Sequence, residues 1–416
     1  MTIGSNAALS PHGPLPGGDA HGAPTAKPAR ALTVLIAAPT IEIGAADEGA
    51  VELAEMLLGA GHHPIVVSGG GRLEQRLLGA GAEFIRLDIS RRDPVALARN
   101  AASLLGLARR RRCDVIHARG RAAAWSALVA ARIAGIPFLT TWYKGFREQN
   151  TLKRLYNGVM ARGARVITQS DQLAELIVKR HGVPWERIAV IPAAVDLARF
   201  DPTALTLERI NAVRLAWGVK ADTKVILIPG RMLRRKGHHV AVHAARRLKE
   251  MGIKNVMFVF AGEDQGRSRY TGELWDLVLA TDTADVVRMA GAEDTPAAYG
   301  AAAAVLSAAI QPEGAQRTIL EALAMGRPVV VTELAAGPDI VLAPPAVAED
   351  RMTGLRVAAG DAEALAAALV RVMSMPDAAR RAVGRRAREW AAEHCAPATV
   401  ASQILAIYAA VTRERA

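Results

Sequence analysis

Cysteine is nearly missing from this 416-residue chain, which carries only Cys113 and Cys395. Two scattered thiols exclude a disulfide framework and the clustered spacing of a zinc site. A reducing, cytoplasmic setting fits, and Cys113, just ahead of an apolar run, reads as a structural thiol. Aromatics are scarce as well, at 4%, and no aromatic-interleaved basic groove marks a nucleic-acid-binding module. No apolar run approaches the roughly 18 to 20 residues that cross a bilayer. Residues 1–30 hold five Pro and five Gly but no apolar segment of the secretory kind, so they read as a flexible leader. Acidic charge is in deficit: 40 Asp and Glu face 52 Lys and Arg, a net charge of +12. Such a chain is attracted to anionic partners, among them phosphorylated substrates and anionic membrane surfaces.

What is present is apolar residues, half of the chain, enough for large cores. The length predicts two domains of about 180 residues each. Short apolar runs alternate with helix-length amphipathic stretches. Strands are predicted at 32–38, 64–68, 83–87, 114–118, 138–142, 165–169 and 189–192, with helices at 47–60, 94–112 and 171–181 among them. The pattern then restarts, with strands at 224–229, 256–261, 286–290, 304–307 and 328–332. Strand–helix alternation implies parallel βαβ units. The expected division is 31–196 for a first Rossmann-like domain, 197–397 for a second, and 398–416 for a terminal helix that packs back on the first. Two doubly wound domains in series bind ligands at the carboxyl ends of their strands.

Two segments carry chemistry. In Pro229-Gly230-Arg231 followed by Lys236-Gly237, a strand runs into a loop and then a helix, where backbone amides and the helix dipole favour an anion. Arg231 as a planar fork and Lys236 as a point charge suit a diphosphate; a solvated basic loop is the plainer alternative. The second segment is Gln311-Pro312-Glu313-Gly314-Ala315-Gln316-Arg317-Thr318-Ile319-Leu320-Glu321. It leads into a helix at 317–325 that is apolar nearly all round and therefore buried. Glu321 inside it needs a partner, either ribose hydroxyls or a buried arginine. Glu313 falls in the loop before the helix.

Together these segments resemble the family 4 retaining glycosyltransferases, whose GT-B fold sets two Rossmann-like doubly wound α/β domains across a cleft. Gly230-Arg231 with Lys236-Gly237 is similar to that family's phosphate-binding loop, and Glu313 with Glu321 to its paired-glutamate motif. Ala324-Met325-Gly326-Arg327-Pro328-Val329-Val330 resembles the segment after that motif, and Thr353-Gly354-Leu355 with Gly360-Asp361 a later turn. Val190-Ile191-Pro192 with Val195-Asp196 and Phe200 is similar to the entry into the linker. The resemblance spans roughly residues 32–412. His117-Ala118-Arg119 with Arg121 and Trp125, and Asp264-Gln265-Gly266-Arg267, resemble bacterial members that act in lipopolysaccharide or other surface-glycan assembly.

The resemblance implies a transferase that moves a sugar from a nucleotide diphosphate donor to a glycan or lipid-linked acceptor. Arg231 and Lys236 would hold the diphosphate, Glu321 the ribose, and Glu313 the hydroxyls of the donor sugar. Gly230, Gly314, Gln316, Arg317 and Thr318 complete the expected donor site. Gly44, Ala45, His117, Arg119, Tyr143 and Lys144 form the expected acceptor side or phosphate loop. No cofactor is implied and no metal, in line with the lack of an Asp-x-Asp motif. The chain departs from the family at Gly44-Ala45-Ala46 for a usual Gly-Gly, at Tyr143 for a usual His, at Ala315-Gln316 for a common Phe-Gly, and at Ala193-Ala194. These changes spare the phosphate and ribose contacts and fall on the acceptor side and sugar pocket. They motivate a second reading, a catalytically silent nucleotide-sugar-binding relative; a third reading is a sugar-nucleotide epimerase, which can use the same fold. Lys144, Arg147, Lys153, Arg154, Arg162 and Arg165 interleave with apolar residues at helical spacing. An ordinary helix packed on the sheet is expected for the apolar side, and peripheral contact with anionic lipid for the basic side.

Overall fold

The computed structural model describes residues 30–42, 44–143, 150–264, 266, 268–291, 294–311, 314–334 and 337–413. The expected leader lies outside them except for Arg30.

The first half forms strands β1 (Thr33–Ala37), β2 (His63–Ser68), β3 (Glu83–Arg86), β4 (Val115–Ala118), β5 (Phe138–Trp142), β6 (Arg165–Thr168) and β7 (Ile188–Val190). The second forms β8 (Lys224–Pro229), β9 (Val256–Ala261), β10 (Val287–Ala290), β11 (Ala302–Ser307), β12 (Val329–Thr332) and β13 (Gly354–Val357). They build a seven-stranded sheet ordered β3-β2-β1-β4-β5-β6-β7 and a six-stranded sheet ordered β10-β9-β8-β11-β12-β13. Every ladder is parallel, as short strands separated by crossover helices require. The strands are apolar on both faces because helices cover both. The strand order reverses between β1 and β4 in one sheet and between β8 and β11 in the other. A crevice opens at each reversal, because the flanking loops leave toward opposite faces.

Two expectations are corrected. Of Thr353-Gly354-Leu355 with Gly360-Asp361, only the second part is a turn: Gly354 starts β13, which pairs along β12 from Val329↔Gly354, and the turn falls at 359–360. Four residues carry too short a pattern to distinguish from a loop. In the helix Thr151–Asn157, Leu152 and Leu155 do not pack on the sheet; they are 78% and 57% exposed. Of the apolar residues in this segment, Val159 and Met160, in the following turn Gly158–Ala161, are buried.

The chain crosses between the halves at its end. Ala387, Ala391 and Cys395 of the helix Asp377–Cys395 pack into the core of the second domain. Ala396 then turns extended ahead of Pro397, as a residue before proline prefers. In the helix Pro397–Arg413, Val400, Ile404, Tyr408 and Val411 recur at helical spacing and pack with Val34, Ile36 and Leu53 of the first domain. By length and composition, the stretch Asp377–Arg413 is apolar enough to cross a membrane. Four residues of its last helix, Val400, Ile404, Tyr408 and Val411, are buried within the protein.

Candidate active site between the two domains

The second-domain crevice is built around two glycines. Gly230 follows β8 with φ 117°. A Cβ there would lie 3.7 Å from both Nζ of Lys236 and Cγ2 of Thr318, so these side chains converge over the strand end. Gly237 sits at φ 71°, and a Cβ would fall 1.7 Å from the Ala308 carbonyl after β11. Only glycine fits both the left-handed backbone and that approach. It brings the start of the helix His238–Glu250 into the crevice. Lys236 belongs to a short 3-10 turn, Arg234–Lys236, and the helix proper begins after it.

The helix Arg317–Ala324 faces this loop. Gln316 precedes it at φ 34° and spends its amide on the Leu334 carbonyl, 3.1 Å away. Its Oε1 is buried and has no hydrogen-bond partner among the described residues. The buried Tyr299 hydroxyl donates to Oε2 of Glu321 at 2.7 Å and lies 2.9 Å from the Thr318 carbonyl. Burial pushes the Glu321 carboxyl up to about 7, against the opposing pull of that hydroxyl and of Arg317 and Arg199.

Arg317 does not point at the phosphate loop. It crosses the cleft to form a two-point pair with Glu52, and Glu48 lies 3.6 Å from it. Burial alone would lower the guanidinium, but the two carboxylates hold it above its ordinary range. Glu48 and Glu52 lie one turn apart on the helix Ala45–Gly59, which presents both to the cleft. Gly314 makes a second crossing, where a Cβ would fall 1.6 Å from the Tyr143 carbonyl. In a third, the Asp171 amide donates to Oδ2 of Asp339 at 2.9 Å.

On the first-domain side, Gly44 precedes the helix Ala45–Gly59 without a side-chain cap. Arg119 leaves the end of β4 and lies buried, its guanidinium 4.9 Å above the Tyr143 ring. His117 reads from the sequence equally as an acceptor-lining or a satisfied structural histidine, and its contacts are those of the second. It is fully buried, with Nδ1 2.7 Å from the Tyr408 hydroxyl and Nε2 2.7 Å from the Thr141 hydroxyl. It fastens the terminal helix to the sheet, and burial holds it well below the ordinary histidine range. Glu313 and Lys144 lie outside the described residues, as do Gln265 and Arg267. Cys113 is buried, its thiol pushed up to about 12 by desolvation. Sequence reasoning missed Glu48, Glu52, Tyr299 and Asp339. An acidic helix face was the only signal for the first two, and it reads equally well as a solvated face.

Comparison with known proteins agrees with this geometry. The Glycosyltransferase Family 4 pattern matches residues 48–199, and the Glycosyl transferases group 1 pattern matches 223–375. A glycosyltransferase structure from Rickettsia africae superposes with a TM-score of 0.81 at 26% identity, over 91% of this chain and 98% of that one. The chain belongs to the GT-B glycosyltransferases. Among relatives of this glycosyltransferase, a D-inositol 3-phosphate glycosyltransferase from Nocardiopsis dassonvillei is 28% identical over 73% of this chain and 72% of its own length. The putative colanic acid biosynthesis glycosyltransferase WcaL of Escherichia coli is 29% identical over 56% of this chain and 53% of its own. The chain thus spans only about half the length of some relatives. Anabaena Alr3699/HepE, solved with UDP-glucose, shares the fold with a TM-score of 0.76 at 19% identity, over 90% of this chain and 99% of that one.

Proposed function

We propose that this glycosyltransferase moves a sugar, with retention of anomeric configuration, from a nucleoside diphosphate sugar to a glycan or lipid-linked acceptor in surface-glycan assembly. One observation carries the donor assignment: Lys236 and Thr318 converge on Gly230 at the point where the second sheet reverses. A diphosphate placed there meets the ammonium, the start of the helix and, one turn on, Glu321 for ribose hydroxyls. Arg231 and Lys236 neutralise charge as the leaving diphosphate departs, the largest part of what such a site contributes. The departing phosphate oxygen takes the acceptor proton, so Tyr143 in place of histidine does not remove a required base. Glu313 holds hydroxyls of the donor sugar. The colanic acid and inositol phosphate names of relatives support a glycan or polyol acceptor, and HepE with bound UDP-glucose supports a UDP-sugar donor.

The enzyme works at the cytoplasmic face of the membrane in this reading. Leu152 and Leu155 stand exposed beside Lys153 and Arg154 on one short helix, a pairing suited to an anionic lipid surface. The test of the transferase is a nucleotide-sugar binding panel followed by mass spectrometry with acceptors. Donor binding with neither transfer nor donor hydrolysis across a broad acceptor set would leave only a nucleotide-sugar-binding protein.

A further inference from the structure

The first domain buries a cation that no described carboxylate meets. Arg119 is 6% exposed, and its Nε has no hydrogen-bond partner among the described residues. Glu52, whose charge reaches it, is committed to Arg317. Desolvation lowers the Arg119 guanidinium to about 10, the mark of a charge that is not compensated. The Tyr143 ring beneath it offsets only part of that cost.

The surroundings complete a site. Arg119 lines a narrow cavity at the cleft together with Glu52, Thr141, Gln169, Ala194 and Arg317. Gln169 is itself buried, and its Oε1 has no partner. Its amide can turn its NH2 to the cavity, since the two ends are equivalent in shape. The Tyr143 hydroxyl is likewise buried and unpartnered. Arg119 directly follows β4, where the sheet reverses against β1. The helix Arg121–Ala134 begins there at Gly120, with no side-chain cap and no acidic residue in its first turn. Its amides and dipole favour an anion at the end of β4.

We infer that Arg119 receives an anionic group on the acceptor, a phosphate or a carboxylate, so that the substrate is a sugar phosphate or an acidic sugar and not a neutral glycan. The inference rests on the transferase reading for the word acceptor, since the donor diphosphate belongs to the opposite crevice at Gly230. An anion entering from the cleft gains the guanidinium fork and the Gln169 amide, which line the same cavity.

The experiment uses the full chain saturated with UDP. Glucose, glucose 6-phosphate and glucuronate are titrated by calorimetry and thermal shift, against wild type, Arg119→Gln and Gly49→Ala. In the last variant a Cβ would lie 2.6 Å from Nη2 of Arg119 and 2.9 Å from the Tyr143 hydroxyl, which displaces the fork. The expected result is binding of at least one charged probe and not of glucose, weakened at least tenfold in both variants while UDP affinity is unchanged. Phosphate-only or carboxylate-only binding assigns the group. Arg119→Gln is expected to melt no lower than wild type without ligand, because it removes an uncompensated charge. Failure of both charged probes on the wild type, or equal affinity in Gly49→Ala, overturns the inference. If UDP fails to bind while a charged probe binds through Arg119, the transferase reading falls and the anion site stands.

Discussion

Arg317 and Glu52 meet across the cleft as a two-point ion pair, one at the start of a second-domain helix and one on the first helix of the other domain. The pair joins the two domains directly. Glu48 adds a second carboxylate at 3.6 Å. A charge-assisted fork of this kind resists loss of either partner, because the other is left poorly solvated. Arg317→Ala orphans two carboxylates and Glu52→Ala leaves Glu48 to compensate. Arg317→Ala is therefore expected to open the domains more, by about 1 to 3 kcal/mol, seen as a larger radius of gyration in solution scattering. Equal radii for both variants and wild type would show that the pair does not hold closure.

Gly314 tests closure from the other side. A methyl group there meets the Tyr143 carbonyl, which is backbone and has no room to yield. Gly314→Ala is expected to keep nucleotide binding, which the second domain provides, and to lose turnover by about 100-fold, the cost of a displacement on the order of 1 Å. Wild-type turnover in this variant would place Gly314 outside the closed interface.

Glu321 should couple nucleotide binding to protons. Its carboxyl titrates at about 7 because of burial, and ribose hydroxyls donating to it favour the ionised form. UDP binding at pH 6.5 is then expected to release a fraction of a proton, read as a dependence of binding heat on buffer ionisation. Glu321→Gln abolishes that release. Without ligand, the folded form keeps a proton that the unfolded chain loses near 4.5, so this group's stabilisation is full below pH 4.5 and lost as pH rises through 7.

Asp339 follows the same sign at the domain interface. Burial first, then the charge of Asp171, pushes it up to about 7, although the Asp171 amide donates to it. Its contribution is complete below the ordinary aspartate range and fades as pH rises through 7. Asp339→Asn keeps the accepting oxygen without the charge. The variant should melt higher than wild type at pH 8 and lose part of the pH dependence; a lower melting temperature at pH 8 would show that the ionised carboxylate holds the interface.

His117 carries the opposite sign. Buried and neutral between Tyr408 and Thr141, it stays unprotonated while the unfolded chain binds a proton below about 6.5, so its effect destabilises as pH falls. Tyr408→Phe leaves one buried ring nitrogen without its partner and should cost about 1 to 3 kcal/mol. Chemical denaturation measures it, and an unchanged midpoint would mean that the terminal helix is held by apolar packing alone.

The sequence by itself determined the two alternating strand–helix halves, because period and turn chemistry are local. It also marked Gly230, Lys236 and Glu321, since a glycine-bounded strand end and a carboxylate in an apolar helix are visible along the chain. Its boundaries came close, as in the strands Phe138–Trp142 and Lys224–Pro229. What the tertiary structure alone decided were the partners. Tyr299 reaches Glu321 across 22 positions of sequence, Tyr408 reaches His117 across 291, and Glu52 reaches Arg317 across 265. Local pattern carries no information about such distances. Long-range pairing depends on which strand ends and helix faces the folded sheets bring together, and on which charges remain buried once water has left.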